Sequence, residues 1–355
     1  MAYKSVLHQM AMTTPTHFWN DSCALDELAF AIEHGAVGAT TNPVIVGQVL
    51  KGDMPRYLPF IKQYIAENPE AVEDDVAWAL NRHMAKEGAQ LLKPVFEQSQ
   101  GKAGYISIQT NAKYYKNAQK MIEQAVGFGA IADNIMVKMP TTKAGLTAFE
   151  EVVYQGVNIN ATVSFSVVQA VQVAEAVERG LNRRTAAGLS NEALHPVCTI
   201  MIGRTEDWLR EVMNAQNIAI DPAAIDFSGV AVFKRAYEIY KENGYRTRLL
   251  VAAFRNHYHW SQFIGAEASM TIPPKWIKQF IASDISCESR IDMPVDPYLI
   301  EQLQKKFPDF IRAYEPDGMA PEEFEHYGAS RRTLMQFLKG YDDMVAMIRE
   351  VMVNS

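Results

Sequence analysis

Short apolar runs rich in β-branched residues recur along the chain and alternate with longer stretches whose apolar residues return every three or four positions. A run of four to eight apolar residues bounded by turn residues reads as a strand buried on both faces. The three-and-four spacing reads as one stripe of a helix. The clearest runs are residues 35–41 (GAVGATT), 105–109 (YISIQ), 134–140 (NIMVKMP), 156–165 (GVNINATVSF), 197–203 (VCTIMIG) and 247–254 (TRLLVAAF). Two fainter ones at 18–21 and 269–272 bring the count to eight. Residues 167–181 (VVQAVQVAEAVERGL) typify the intervening segments: Val167, Val168, Val171, Ala174 and Val177 share a helix face, and Gly180 is expected to end the helix. Eight strands alternating with helices predict an α/β fold, a closed (β/α)8 TIM barrel, rather than an open doubly wound sheet. No G-x-G-x-x-G follows an early strand, so dinucleotide binding is not expected.

Beyond the last strand, residues 275–355 read as an additional C-terminal helical region. Its end carries Leu334, Phe337, Leu338, Tyr341, Val345, Ile348 and Met352 on one apolar face, expected to pack on the barrel rather than recruit a partner. The polar stretch 316–330 is expected to be a surface loop with a short helical turn. No repeat and no low-complexity linker interrupts the pattern, so residues 1–355 are read as one barrel domain with helices added at its end.

Composition narrows the partners. With 48% apolar and 21% charged residues the chain is of the ordinary globular kind. A net charge of -7 and the lack of any Lys/Arg run argue against nucleic acid and leave small anions as the charged ligands. Residues 1–19 hold no apolar stretch of signal-peptide length, and no run of about 20 apolar residues occurs, so no membrane association and a cytoplasmic location are expected. The three cysteines, Cys23, Cys198 and Cys287, form no C-x-x-C pair and are read as reduced structural thiols, although His195 lies near Cys198 along the chain.

Barrel enzymes carry their chemistry at the C-terminal ends of the strands. Lys138 is the only charged residue in its apolar strand, and a lysine pointing into the barrel loses hydration, which favours the nucleophilic free amine. The alternative is a lysine whose stem follows the strand while its head reaches water; from the strand alone both readings stand. Other strand-end candidates are Asp21 on the first strand, Asn42 on the second and Gln109 on the third. Asn160 and Thr162 are two apart on the fifth and so share a face, Thr199 lies on the sixth, and Arg204 and Arg255 end the sixth and seventh. Two arginines at adjacent strand ends suit a phosphate clamp, since planar guanidinium groups bind such oxygens bidentately. No metal site is expected; His257 and His259, two apart, come nearest to a ligand pair.

From about Trp19 to Pro274 the chain resembles the transaldolase family of Schiff-base aldolases. GAVGATTNPVIV, NIMVKMPTTKAGLTA, NINATVSFSVVQA, IGRTEDW, AAFRN and TIPP are similar to the family's motifs and occur in the same order. The resemblance implies a cofactor-free transferase of carbohydrate metabolism, such as the pentose phosphate pathway. Its sugar-phosphate donor would be fructose 6-phosphate or sedoheptulose 7-phosphate, and assembly into a homo-oligomer is compatible with it. It implies a Schiff base on Lys138, an acid/base role for Asp21, and contacts from Asn42 and Asn160 to a dihydroxyacetone unit. Thr162 would place the catalytic water, and Arg204 and Arg255 would bind phosphate.

The departures carry information. Gln109 stands where transaldolases generally have a glutamate, as in the related fructose-6-phosphate aldolases; an amide can orient water but cannot serve as a carboxylate base. Thr199 and Met201 replace serine and phenylalanine, and Ala253 replaces a serine beside the phosphate arginine; the hydroxyl lost there implies either weaker phosphate binding or a different anionic tail such as a sulfonate. These changes lean towards aldolase, whereas the chain length and the additional C-terminal region resemble longer transaldolases; transaldolase is read first and aldolase second, and a noncatalytic sugar-phosphate binding protein is the reading from another class.

Overall fold

The computed structural model describes residues 3–354. Eight parallel strands close into a barrel in sequence order: β1 (His17–Asn20), β2 (Gly38–Thr40), β3 (Tyr105–Gln109), β4 (Ile135–Pro140), β5 (Ile159–Ser164), β6 (Val197–Ile200), β7 (Arg248–Val251) and β8 (Ser269–Ile272). β1 and β8 complete the ring with His17 opposite Ser269 and Trp19 opposite Thr271. This is the (β/α)8 barrel expected from the alternation of runs. Strand residues are almost all buried, because side chains fill the interior and helices cover the outside. Within the ring Trp19 lies over Gly38; a Cβ on Gly38 would stand 2.7 Å from the indole, so only glycine leaves room for it.

Two local expectations are corrected. The sixth run was expected to reach Gly203, but β6 stops at Ile200 and a helix, Ile202–Ala215, begins almost at once. Arg204 therefore sits in the first helical turn rather than on the strand end. Gly180 does not end its helix, which runs Val167–Ala186. A Cβ there would come within 2.6 Å of the Glu150 carbonyl oxygen, so the glycine permits close packing against the preceding helix Lys143–Tyr154.

Past β8 come the helices Pro274–Ile281, Pro297–Lys306 and Pro308–Tyr314, a short 3₁₀ segment Pro321–His326, and the long helix Gly328–Val353. The last buries Leu334, Phe337, Tyr341, Val345 and Ile348, while Leu338 and Met352 are only half-buried. It crosses the helix Pro43–Gly52 that follows β2, where a Cβ on Gly340 would meet Val44 at 2.7 Å. Trp78 stacks on Tyr341 at 5.5 Å, and the Tyr341 hydroxyl donates to Asp74. Each fully buried apolar side chain in this face contributes roughly 1.5–3 kcal/mol, so the helix is held on the barrel by packing. Among the described residues no helix is long and apolar enough to cross a membrane.

Candidate active site

A cavity of about 920 Å³ opens at the C-terminal end of the barrel, bordered by Asp21, Asn42, Lys138, Met201, Arg204 and Arg255. Register explains how the polar residues meet. Gln109 on β3 is level with Lys138 on β4, and Lys138 is level with Asn160 on β5. These three therefore occupy one layer at the top of the barrel.

Lys138 is 3% exposed, and its Nζ donates to the Thr41 carbonyl at 3.2 Å. Burial pushes its pKa down, with the Asp21 charge acting in the opposite sense. Asp21 follows β1, its backbone N–H anchored on the Ile272 carbonyl at 3.0 Å. Its Oδ1 accepts from the Thr40 hydroxyl at 2.7 Å, and Thr40 in turn meets the Thr271 hydroxyl at 2.5 Å. Burial pushes the Asp21 carboxyl up, while Lys138, the Thr40 hydroxyl and Arg204 hold it back. Burial thus moves both groups away from their charged forms and toward a range where each can exchange a proton near neutrality.

A hydrogen-bonded chain crosses the barrel beside Lys138. Asn160 Nδ2 donates to Ser107 Oγ at 3.1 Å, and the Thr199 hydroxyl donates to Asn160 Oδ1 at 2.6 Å. This fixes the Asn160 amide between β3 and β6. Gln109 is 5% exposed, and its Oε1 is buried without a hydrogen-bond partner among the described residues, a free acceptor level with Lys138. Thr162 is fully buried, its hydroxyl 3.8 Å from the Met201 sulfur. Val163 beside it has φ +55° at a break in the β5–β6 register, a conformation costing a β-branched residue roughly 1–3 kcal/mol. Asn42 caps the helix Pro43–Gly52 by accepting from the Val44 and Ile45 N–H groups at 3.0 and 3.1 Å. Its carbonyl oxygen is occupied, so the amide nitrogen is what it offers the cavity.

The arginines approach one another because Gly203 has no side chain: a Cβ there would lie 1.8 Å from the Ala253 carbonyl oxygen. Arg255 gives Nε and Nη2 to the two oxygens of Asp207 at 2.9 and 2.7 Å, and Nη1 to the Phe254 carbonyl at 2.9 Å. One proton each on Nη1 and Nη2 remains for a ligand. Arg204 Nη1 donates to Gln336 on the C-terminal helix, and its Nε is buried without a partner among the described residues. Burial, then the charge of Arg255, lowers the Arg204 pKa, while the charges of Asp207 and Asp21 oppose the fall.

Several of these partners escape a reading of strand ends. Asp207 lies three residues after Arg204 on one helix, a spacing visible once the helix is known. The pair Glu206 and His259, 1% and 0% exposed, is joined only by the fold. His259 Nδ1 accepts from the Arg255 N–H at 3.1 Å, so its Nε2 carries the proton toward Glu206, which also accepts from Asn256 at 3.4 Å. Two consecutive carboxylates therefore hold Arg255, one by its guanidinium and one, through His259, by its backbone. Among the described residues no group of His, Cys, Asp and Glu is arranged to hold a metal. Cys23 and Cys198 are free and buried, their thiols pushed up to about 12 by burial, which leaves neither a thiolate near neutrality.

Residues 18–316 match the family described as transaldolase/fructose-6-phosphate aldolase. The chain belongs to that family. A transaldolase of Neisseria meningitidis (serogroup C / serotype 2a) is 29% identical over 276 residues, which cover 72% of this chain and 76% of that protein. Transaldolase family members from Thiobacillus denitrificans and Streptomyces avermitilis (Transaldolase 1) are 29% and 28% identical. Those matches span 59% and 61% of this chain but only 58% and 57% of the two relatives. Membership makes this an enzyme of the transaldolase or aldolase type. The C-terminal helix Gly328–Val353, which touches Arg204 through Gln336, lies beyond the region that matches the transaldolase family.

Proposed function

We propose that the enzyme transfers a dihydroxyacetone unit from a ketose phosphate, such as fructose 6-phosphate or sedoheptulose 7-phosphate, to an aldose phosphate through a Schiff base on Lys138. The observation that carries this is a buried lysine and a carboxyl raised by burial, lining one cavity together with two arginines. The Lys138 amine attacks the ketose carbonyl and water leaves, giving a protonated imine. Asp21 takes the proton of the C4 hydroxyl, the C3–C4 bond breaks, and its electron pair moves into the imine to form an enamine. The aldehyde departs. The enamine adds to the acceptor, and Asp21 returns the proton before water releases the product.

Around this chemistry Asn160, Thr199 and the Asn42 amide nitrogen would bind the dihydroxyacetone hydroxyls. Gln109 and Thr162 would hold the water, and Arg204 and Arg255 the anionic tail. A cytoplasmic place in carbohydrate metabolism, the pentose phosphate pathway included, fits such substrates. The protein is read as a single barrel domain with its C-terminal helices packed on it and no nucleic-acid partner; homo-oligomerisation is compatible with this reading.

One residue favours a second reading. Gln109 supplies an acceptor but no carboxylate, which suits an aldolase that releases dihydroxyacetone, and Ala253 allows a tail such as a sulfonate in place of phosphate. Rates with fructose 6-phosphate, measured with and without erythrose 4-phosphate, separate the two. The transfer reading predicts glyceraldehyde 3-phosphate at least about tenfold faster with the acceptor; equal rates assign the aldolase. Gln109→Glu is expected to change that ratio by a similar factor.

The hold on Arg255 has a kinetic consequence. Removing only one member of the buried Glu206–His259 pair would cost about 3–5 kcal/mol of stability, so the informative variant is the double His259→Leu/Glu206→Leu. KM for fructose 6-phosphate is expected to rise about tenfold, the value of one well-placed hydrogen bond to a charge, with kcat within about threefold. A matching loss with unphosphorylated fructose would show that the pair does not act through the anion site.

A further inference from the structure

A second cavity, of about 660 Å³, lies at the opposite, N-terminal end of the barrel. It is floored by residues that open their strands: His17 on β1, Tyr105 on β3, Val197 on β6, Arg248 on β7 and Ser269 on β8. Barrel interiors are ordinarily closed at this end by layers of branched apolar side chains. Here an arginine, a histidine and a serine stand in that layer.

Arg248 is incompletely satisfied. Its Nε donates to Ser269 Oγ at 3.1 Å, and its Nη2 to the carbonyls of Pro15 and Ala268 at 2.9 and 3.0 Å, but among the described residues its Nη1 has no partner. Nearby, the Thr247 hydroxyl, on a residue 3% exposed, is buried with no hydrogen-bond partner among the described residues. The charges around Arg248 do not cancel it. Arg246 is taken by Glu178 at 2.5 Å, Lys102 and Lys241 stand exposed on the rim, and Glu267, whose charge opposes the effect of burial on Arg248, is the one carboxylate lining the cavity among the described residues. His17 stays uncharged near neutrality, its pKa lowered to about 4 by burial and then by Arg248. Trp19, Tyr105, Tyr237 and Tyr240 supply flat apolar walls. A volume within the usual range for small-molecule sites, aromatic walls and one convergent cationic group are the marks of a binding pocket.

We propose that this chamber is a second, noncatalytic site for a small organic anion with a flat body, its phosphate, sulfonate or carboxylate held by Arg248 Nη1 and the rim lysines, its ring against the aromatic walls. The site is independent of the reaction assigned to the other face. Its counterparts there are Lys138 and the arginine pair, a full barrel length away along the strands, so occupancy of one does not displace the other.

Titration of the full-length protein with 1-anilinonaphthalene-8-sulfonate, followed by its fluorescence, tests the site; adenosine monophosphate and inorganic phosphate serve as competitors. One saturable site is expected, undisturbed by saturating fructose 6-phosphate and weakened at least about tenfold in the double charge reversal Lys102→Glu/Lys241→Glu, whose exposed positions leave folding intact. Catalytic activity of that variant should remain within about twofold. Competition by the nucleotide alone identifies a ligand with a ring, and competition by both identifies the anionic group as the main determinant. An unchanged affinity in the double variant, displacement by fructose 6-phosphate, or no saturable binding overturns the proposal.

Discussion

Lys138→Met is expected to lower turnover by at least about 10⁴-fold, the scale seen when a covalent nucleophile is removed, while leaving the fold as stable as before or more so. The second half of this expectation distinguishes the account from a merely structural lysine. Lys138 is 3% exposed and its pKa is depressed by burial. A lysine lowered in the folded state binds fewer protons there than in the unfolded chain, so at neutral pH it costs stability. That cost disappears as pH rises through the ordinary lysine value of about 10.4. Methionine has a similar shape and no charge, so the variant should gain about 1 kcal/mol, or about 1–2 °C in Tm at pH 7. The gain should shrink toward pH 10. Calorimetric melts at pH 7 and pH 10, beside an activity assay, check both halves. A variant that melts several degrees lower at pH 7 would mean that the bond from Nζ to the Thr41 carbonyl is structural.

Asp21→Asn is expected to lower carbon-carbon cleavage by about 10²–10⁴-fold, the usual range for a general acid/base, without preventing imine formation on Lys138. Asparagine keeps an oxygen that can accept from the Thr40 hydroxyl, so the local geometry survives. It cannot take the hydroxyl proton. Loss of the carboxylate also removes the charge that opposes the fall in the Lys138 pKa, so the amine stays free to lower pH. Rapid-quench trapping should therefore find the intact ketose on the lysine of this variant, uncleaved. Cleavage at the native rate would move the acid/base role to another group.

Much of the barrel was legible because a buried parallel strand announces itself as a compact apolar run. Tyr105–Gln109 matches its run at both ends, and Ser269–Ile272 was found despite being faint. The run through Ile202 misled because the helix after β6 begins two residues past the strand, leaving no polar turn to mark the change. Gly180 misled because glycine marks close approach of backbones as readily as a helix end. At the site, Lys138 was visible within its apolar strand, and Asp21 and Asn42 just past the ends of theirs, whereas Arg255, expected to end the seventh strand, lies four residues beyond Val251, the last of β7. The partners of the site residues were not visible. Glu206 and His259 lie 53 residues apart, and Arg204 and Gln336 are separated by 132, contacts that only closure of the barrel and the crossing of the C-terminal helix create. Thr40, the partner of Asp21, looked like part of a strand because its role depends on the neighbouring β1 end.

The most direct test of the central claim is borohydride reduction of the protein in the presence of fructose 6-phosphate, followed by intact-mass measurement and peptide mapping, with Lys138→Met as control. The account predicts a single dihydroxyacetone-sized adduct on the peptide that contains Lys138, and none in the variant. An adduct on another lysine, or none with any ketose phosphate or ketose sulfonate, would contradict it.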